Sequence, residues 1–188
     1  MLDGATKSFM QAYNGQIAVD CKSQVIVAAD VTQAANDKQQ LVPIVEQIEE
    51  NLGEIPDRVL ADNGYFSQEN VEYVARNYME PLIAPERTKH TDSPSPAPKG
   101  RIPDDMSVVD KMGRKFKTKT GKKTYSKRKE SVEPVFGQIK EARGIRAFFL
   151  RGLERVKAEW SLICLTHNIL KLWGRPCPDG RRSVYVFG

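Results

Sequence analysis

Arg58-Val59-Leu60-Ala61-Asp62-Asn63-Gly64-Tyr65 joins a short apolar run to a turn. Arg58–Ala61 suits a buried strand, and Asp-Asn-Gly is good turn chemistry. A strand inside a sheet has a fixed backbone, and its carboxyl end opens onto a crevice where sites form. A carboxylate held there suits a hard divalent cation such as Mg²⁺, which takes oxygen ligands. An Asp that merely starts a turn fits the same residues.

The flanking segments supply the rest of a sheet. Ala12–Val19 is compatible with a strand, Val25–Thr32 is rich in β-branched residues, and the polar Asp20–Gln24 between them makes an antiparallel hairpin. Asn36-Asp37 reads as an N-cap for a helix with Leu41, Ile44, Val45 and Ile48 on one face, closed by Gly53. Ser67 caps a helix through Val71 and Val74, and Pro81–Ala84 reads as a short strand. Ser93–Gly100, with three prolines, holds neither a helix nor a central strand. Helical periodicity returns at Val132, Val135, Phe136 and Ile139, where Pro134 is tolerable only in a first turn, so the helix is expected to start there. A last helix is expected from about Gly152 to Trp173, with Leu153, Val156, Trp160, Ile163, Cys164 and Leu170 on one side.

The pattern predicts an α/β (α+β) domain with a mixed sheet flanked by helices. Its parts are residues 1–85 (partial sheet with helices), 86–129 (Pro/Ser-rich linker and basic segment), 130–174 (two C-terminal helices) and 175–188 (irregular tail).

Charge bears on partners. The net charge is +5, but ten Lys or Arg fall between Lys111 and Lys129 with no acid among them. That run is either a solvated basic loop or an electrostatic footprint for phosphates. No run of about 18 apolar residues occurs, so no membrane helix is expected. Cys21, Cys164 and Cys177 make neither a disulfide framework nor a zinc pattern, and a cytoplasmic location is the expectation. His90 and His167 give no metal spacing; His167, among apolar helix residues, reads as packed.

Glu133 opens the helix at Pro134. It complements the helix dipole, or it serves a site together with Lys140, one heptad on and on nearly the same face. A carboxylate and a lysine on one face could hold a metal and an adjacent phosphate.

Tyr13–Asp20, Leu60–Ser67 and Ser131–Lys140, continuing through Phe149–Leu153 and Glu159–Leu162, resemble the catalytic domain of bacterial insertion-sequence DDE transposases. The resemblance runs in order from about Tyr13 to Trp173. It implies an RNase H-like fold, DNA transposition as the process, and two Asp and one Glu around two Mg²⁺ (or Mn²⁺) ions. Asp62 would be the second carboxylate and Glu133 the third, both catalytic and metal-binding. Glu133 and Lys140 match the end of the family's Tyr-Arg-Glu-Lys signature. Tyr125 and Arg128 keep their mutual spacing, but Arg128 lies one residue too far from Glu133, and Lys129 has the matching distance.

In the family the first Asp ends the first strand, in an Asp-Gly-Thr-like motif well upstream of the hairpin. Asp3-Gly4-Ala5-Thr6-Lys7 resembles that motif without a preceding strand, and Asp20 is the fallback. A chain lacking its first strand, and weak in cleavage on its own, is therefore the expectation. The implied partner is DNA, at transposon ends and target, with Lys115, Lys117, Lys122, Lys123, Arg128, Lys129, Lys140 and Arg143 on its phosphates. A homodimer and a nucleoid-associated location go with that reading. The alternatives are a catalytically dead DNA-binding or dimerising remnant, and an unrelated basic RNA-binding protein. The basic run lacks interleaved aromatics, which weighs against base stacking.

Overall fold

The computed structural model describes residues 12–85, 100–103, 105–173 and the backbone of 183–187. The Asp3–Lys7 motif and most of the Pro/Ser-rich segment lie outside the described residues. Ten regular elements follow in chain order: β1 (Asn14–Asp20), β2 (Ile26–Thr32), α1 (Leu41–Leu52), β3 (Arg58–Ala61), α2 (Gln68–Arg76), β4 (Glu80–Ile83), α3 (Val108–Lys117), α4 (Lys119–Gly137), α5 (Leu153–Leu172) and β5 (Ser183–Phe187). The five strands form one mixed sheet in the order β2-β1-β5-β3-β4.

Alternation along the strands sorts side chains to two cores. Ala18, Val59, Ala61 and Ile83 face α1, α2 and Met112 of α3. Ile17, Val19, Leu60 and Leu82 face Val132 and Val135 of α4 and Val156, Trp160 and Ile163 of α5. The result is a sheet covered by helices on both sides, in agreement with the RNase H-like expectation. The edge strand β2 is blunted by side chains. Asn168 accepts from Ile26 N and donates to Ile26 O, Gln47 accepts from Ala29 N, and Asn51 donates to Val27 O.

Three expectations change. First, the irregular tail does not hold at Ser183–Phe187: this segment is the central strand. It pairs antiparallel with β1 over Ile17–Asp20 and parallel with β3 over Arg58–Ala61. Its partners lie more than 120 residues upstream, so nothing local marks its place. Second, the basic segment is helical. Ser107 caps α3 through Asp110 N, and Thr118 caps α4 through Gly121 N. Third, Pro134 lies inside α4 rather than at its start. A mid-helix proline leaves the carbonyl four residues back without its amide. That carbonyl, Glu130 O, accepts from Gln24 Nε2 at 3.0 Å.

Gln24 ties the hairpin to both C-terminal helices. Its φ of 58° is left-handed, a conformation costing about 1–3 kcal/mol in a non-glycine residue. Besides the bond to Glu130, its Oε1 accepts from Lys171 Nζ at 2.7 Å and its main-chain oxygen meets His167 Nε2 at 3.1 Å. Because Gln24 O only accepts, His167 carries a proton on Nε2, and Nδ1 lies 3.0 Å from Gln138 Oε1.

Burial lowers the His167 pKa below its ordinary value, with Lys171 and Arg143 acting in the same direction and the bond to Gln24 against them. The unfolded chain therefore takes up a proton at a higher pH than the folded one. The stability from the neutral ring is full above about pH 6.5 and is lost as pH falls from there through the lower folded pKa. The expected result is a Tm that drops between pH 7.5 and 5.5, with a shallower drop for His167→Gln. Equal slopes would exclude His167 as the source.

Candidate active site

The Tyr13-Asn14-Gly15-Gln16 motif is a fixture for one carboxylate. Asn14 Nδ2 and Gln16 Nε2 donate to Asp37 Oδ1 at 2.6 and 2.9 Å, and the buried Tyr65 hydroxyl donates to Gln16 Oε1 at 3.1 Å. Gly15 lets Trp160 lie against the strand, since a Cβ there would be 3.2 Å from Trp160 Cε2. Trp160 Nε1 donates to Gln16 O at 3.1 Å. Tyr13 accepts from Gly152 N at 3.0 Å and meets the Phe148 ring edge-on. The Asp37 cap reading is thereby corrected. No side-chain capping bond forms at the short turn Lys38–Gln40, and the carboxylate turns to the hairpin instead.

Asp62 ends β3 as the sequence predicts. Its Oδ1 accepts from Gly64 N at 2.9 Å, the bond of an Asp that starts a turn. Gly64 separates two carboxylates. A Cβ there would lie 2.9 Å from Asp37 Oδ2 and 3.1 Å from Asp62 Oδ1. A side chain at Gly64 would therefore have to displace one of the two carboxylates. Burial raises the Asp37 pKa; the Asn14 bond opposes that, and the Asp62 charge adds to the rise.

Asp62 and Glu133 line one open groove of about 1230 Å³, with Asn14 and Gly15 at one side and Phe136, Phe148 and Trp160 on its apolar floor. Arg128, Lys129, Lys140, Arg146 and Arg151 also line it. Arg128 Nη1 lies 3.5 Å from Asp62 Oδ2, and its guanidinium stacks over Tyr125 at 5.2 Å. Tyr125 and Arg128 thus touch each other, and Arg128 reaches Asp62. A π-helical turn, Gln138–Ala142, follows α4, and Lys140 still reaches the groove, over the Phe136 ring at 4.9 Å.

The remaining basic residues divide. Lys117, Lys122 and Lys123 are exposed. Lys115 is committed to an ion pair with Glu80, which Arg58 also holds. Arg143 donates to Ile163 O and Thr166 Oγ1, tying the π turn to α5. Arg146 and Arg151, not singled out in the sequence, reach the groove from the loop before α5. Glu159 fixes that loop by accepting from Phe149 N and Leu150 N at 2.9 Å each.

Asp20 is excluded as the fallback carboxylate of this groove. Its Oδ2 accepts from Lys22 N, Ser23 N and Ser23 Oγ, closing the hairpin turn. It pairs with Val184, whose partner on β3 is Val59, three residues before Asp62. At about 3.3 Å per residue that is roughly 10 Å along the sheet, toward the wrong end. Among the described residues, no group of three or more His, Cys, Asp or Glu is placed to hold a metal ion.

A family comparison decides the affiliation: the model of the transposase DDE domain matches residues 3–169. The chain belongs to the DDE transposase family. Comparison with curated proteins and with solved structures gave no match. The RNase H-like mixed sheet with its helices agrees with this transposase membership. Transposition is accordingly the process to which the domain relates. Among the described residues, no helix is long and apolar enough to cross a membrane.

Proposed function

We propose that the groove binds duplex DNA and that Asp62 and Glu133 are the ligands of divalent metal there, in the cleavage and transfer of DNA strands. The observation that carries this reading is that the two carboxylates share one groove with Arg128, Lys129, Lys140, Arg146 and Arg151. Their oxygen donors fit a hard cation such as Mg²⁺ or Mn²⁺. Bound metal would supply charge stabilisation for an in-line displacement at phosphorus.

The chain's own residues do the rest. Arg128 holds the Asp62 carboxylate beside Tyr125. Asp37, fixed by Asn14 and Gln16, adds negative charge behind Asp62. Lys129, Lys140 and Arg151 take phosphates, while Phe136 and Trp160 keep the floor dry. The test is Mn²⁺-dependent nicking of a labelled duplex carrying the element's ends, by the full chain. Metal-independent nicking, or nicking that survives loss of Asp62, would remove this reading. A second reading, binding without cleavage, is favoured by the placement of Asp20 away from the groove; it predicts retained DNA affinity with no nicking in either metal.

The DNA surface has its own test. Each phosphate contact contributes about 0.9 to the slope of log affinity against log salt. Lys129→Ala, Lys140→Ala and Arg151→Ala together are expected to flatten that slope by roughly 2–3. Lys115→Ala is expected to leave the slope unchanged and lower Tm, because its partner is Glu80. The reverse outcome would place the DNA along α3 instead of the groove.

A further inference from the structure

Of the three most exposed aromatic side chains among the described residues, Tyr78, Phe149 and Trp173, only Phe149 lies within a segment that walls the groove. Its neighbours Phe148, Leu150 and Arg151 all line the cavity, as does Arg146. Phe148 turns inward, edge-on to Tyr13 and Trp160. Phe149 stands 86% exposed, with Leu150 beside it at 46%. A single exposed apolar residue is ordinary and argues nothing by itself.

The setting of Phe149 argues more, because its backbone is fixed. Both oxygens of the half-buried Glu159 accept amides there, from Phe149 N and Leu150 N. Gly152 N donates to the Tyr13 hydroxyl at the far end of the same loop. The loop is thus tied both to α5 and to the residue before β1. An aromatic ring has two χ angles, and on a fixed backbone it loses little freedom when it inserts into a ligand. Cations flank it on either side along the chain, at Arg146 and Arg151.

We infer that Phe149 is a wedge for DNA. The inference rests on the reading that duplex DNA occupies the groove. The ring enters between two adjacent base pairs, unstacks that step and kinks the helix, while Arg146 and Arg151 take phosphates beside it. Phe and Leu are among the apolar side chains that part base steps in this way. The substrate class follows from the cost of parting them. At a matched step the lost base stacking offsets most of what the ring gains, whereas a mismatched step is already part-way open. Pyrimidine–purine steps such as TA and CA are the easiest matched ones to unstack. Phe149 therefore gives the groove a preference for deformable or already distorted duplex. Lys129 and Lys140 cannot supply that preference, since phosphate contacts carry no direct sequence information. A protein partner fits less well. One ring and a half-exposed leucine offer far less than the roughly 800 Å² per side of a specific protein interface, and the flanking cations suit phosphates.

The test uses the full chain without metal and two duplexes that differ by one central mismatch, each with 2-aminopurine beside that position. The probe is dim when stacked and brightens when its neighbour is parted from it. Wild type should bind the mismatched duplex about tenfold more tightly than the matched one, and should brighten its probe. Phe149→Ala should bind both duplexes alike and brighten neither, with an unchanged Tm because the ring is exposed. Phe149→Leu should keep part of both effects. Arg151→Ala should weaken both duplexes alike yet still brighten the probe at saturation, which separates parting of bases from phosphate contact. Salt-dependent binding with no preference and no brightening would overturn the wedge and leave the DNA reading standing; absence of any duplex binding would remove both. A Phe149→Ala chain that keeps the preference and the brightening would also overturn it, and would leave the exposed ring to a protein partner.

Discussion

Asp62→Ala and Glu133→Ala should each lower Mn²⁺-supported strand cleavage by on the order of 10³-fold, at nearly unchanged DNA affinity. The reason is electrostatic. Charge builds on the attacking and leaving oxygens as the phosphodiester breaks, and removing a group that helps hold the compensating charge raises the barrier by about 4 kcal/mol. Ground-state binding of DNA rests on other residues, Lys129, Lys140 and Arg151, so Kd should barely move. Asp37→Asn should show a smaller loss, about 10–100-fold, because it acts behind Asp62. Titration calorimetry gives a readout without turnover: the heat of Mn²⁺ binding should vanish in the Asp62 and Glu133 variants. Both carboxylates are partly or fully exposed, so folding should survive either change. Full metal binding by both variants would place the ions elsewhere.

The second large effect concerns β5. Deleting residues 183–188 should abolish cooperative folding at 37 °C. The strand joins β1 on one side and β3 on the other, four paired residues each, so its loss divides the sheet into β2-β1 and β3-β4. Each half is a two-stranded ribbon, marginal in water without the rest. Tyr185→Pro is the gentler version. A proline in a central strand removes a ladder bond, which is why proline is essentially confined to edge strands and bulges, and the whole domain has only roughly 5–15 kcal/mol to lose. Hydrogen exchange should show β1 and β3 amides losing protection together. Unchanged protection in the deletion variant would mean that β5 does not hold the sheet's centre.

The parts that the sequence made legible are those whose patterns are local. The hairpin, α1, β3 and α5 carry periodicity that a window of ten residues captures, and Asp62 announces itself by ending an apolar run at Asp-Asn-Gly. What stayed hidden depends on distant partners. The α3–α4 segment has few apolar residues, chiefly Met112, Phe116 and Tyr125, so its lysines read as a solvated loop. Pro134 reads as a helix start because its compensating donor, Gln24, lies 106 residues away along the chain from Glu130. Asp37 reads as a cap because Asn14 and Gln16 come from another element. On α5 one expected core residue differs: Leu170, grouped with Val156, Trp160, Ile163 and Cys164, is 60% exposed, away from the buried face. A signal did exist for Asp37, in the conjunction of two side-chain amides on one strand and a glycine after Asp62.

The position of β5 also governs when this domain can fold. Synthesis runs from the N-terminus, so the ribosome completes β1 to β4 and all five helices before it makes the strand that belongs between them. Until then β1 and β3 each offer an open hydrogen-bonding edge, and β1 carries Ile17, Ala18 and Val19, which are fully buried in the finished protein. The nascent chain therefore keeps these two edges open from the synthesis of β3 until β5 emerges, and closure of the sheet waits for that strand. Such a domain should depend on chaperones that bind emerging chains, and its soluble yield should respond to their level and to growth temperature more than its final stability would imply.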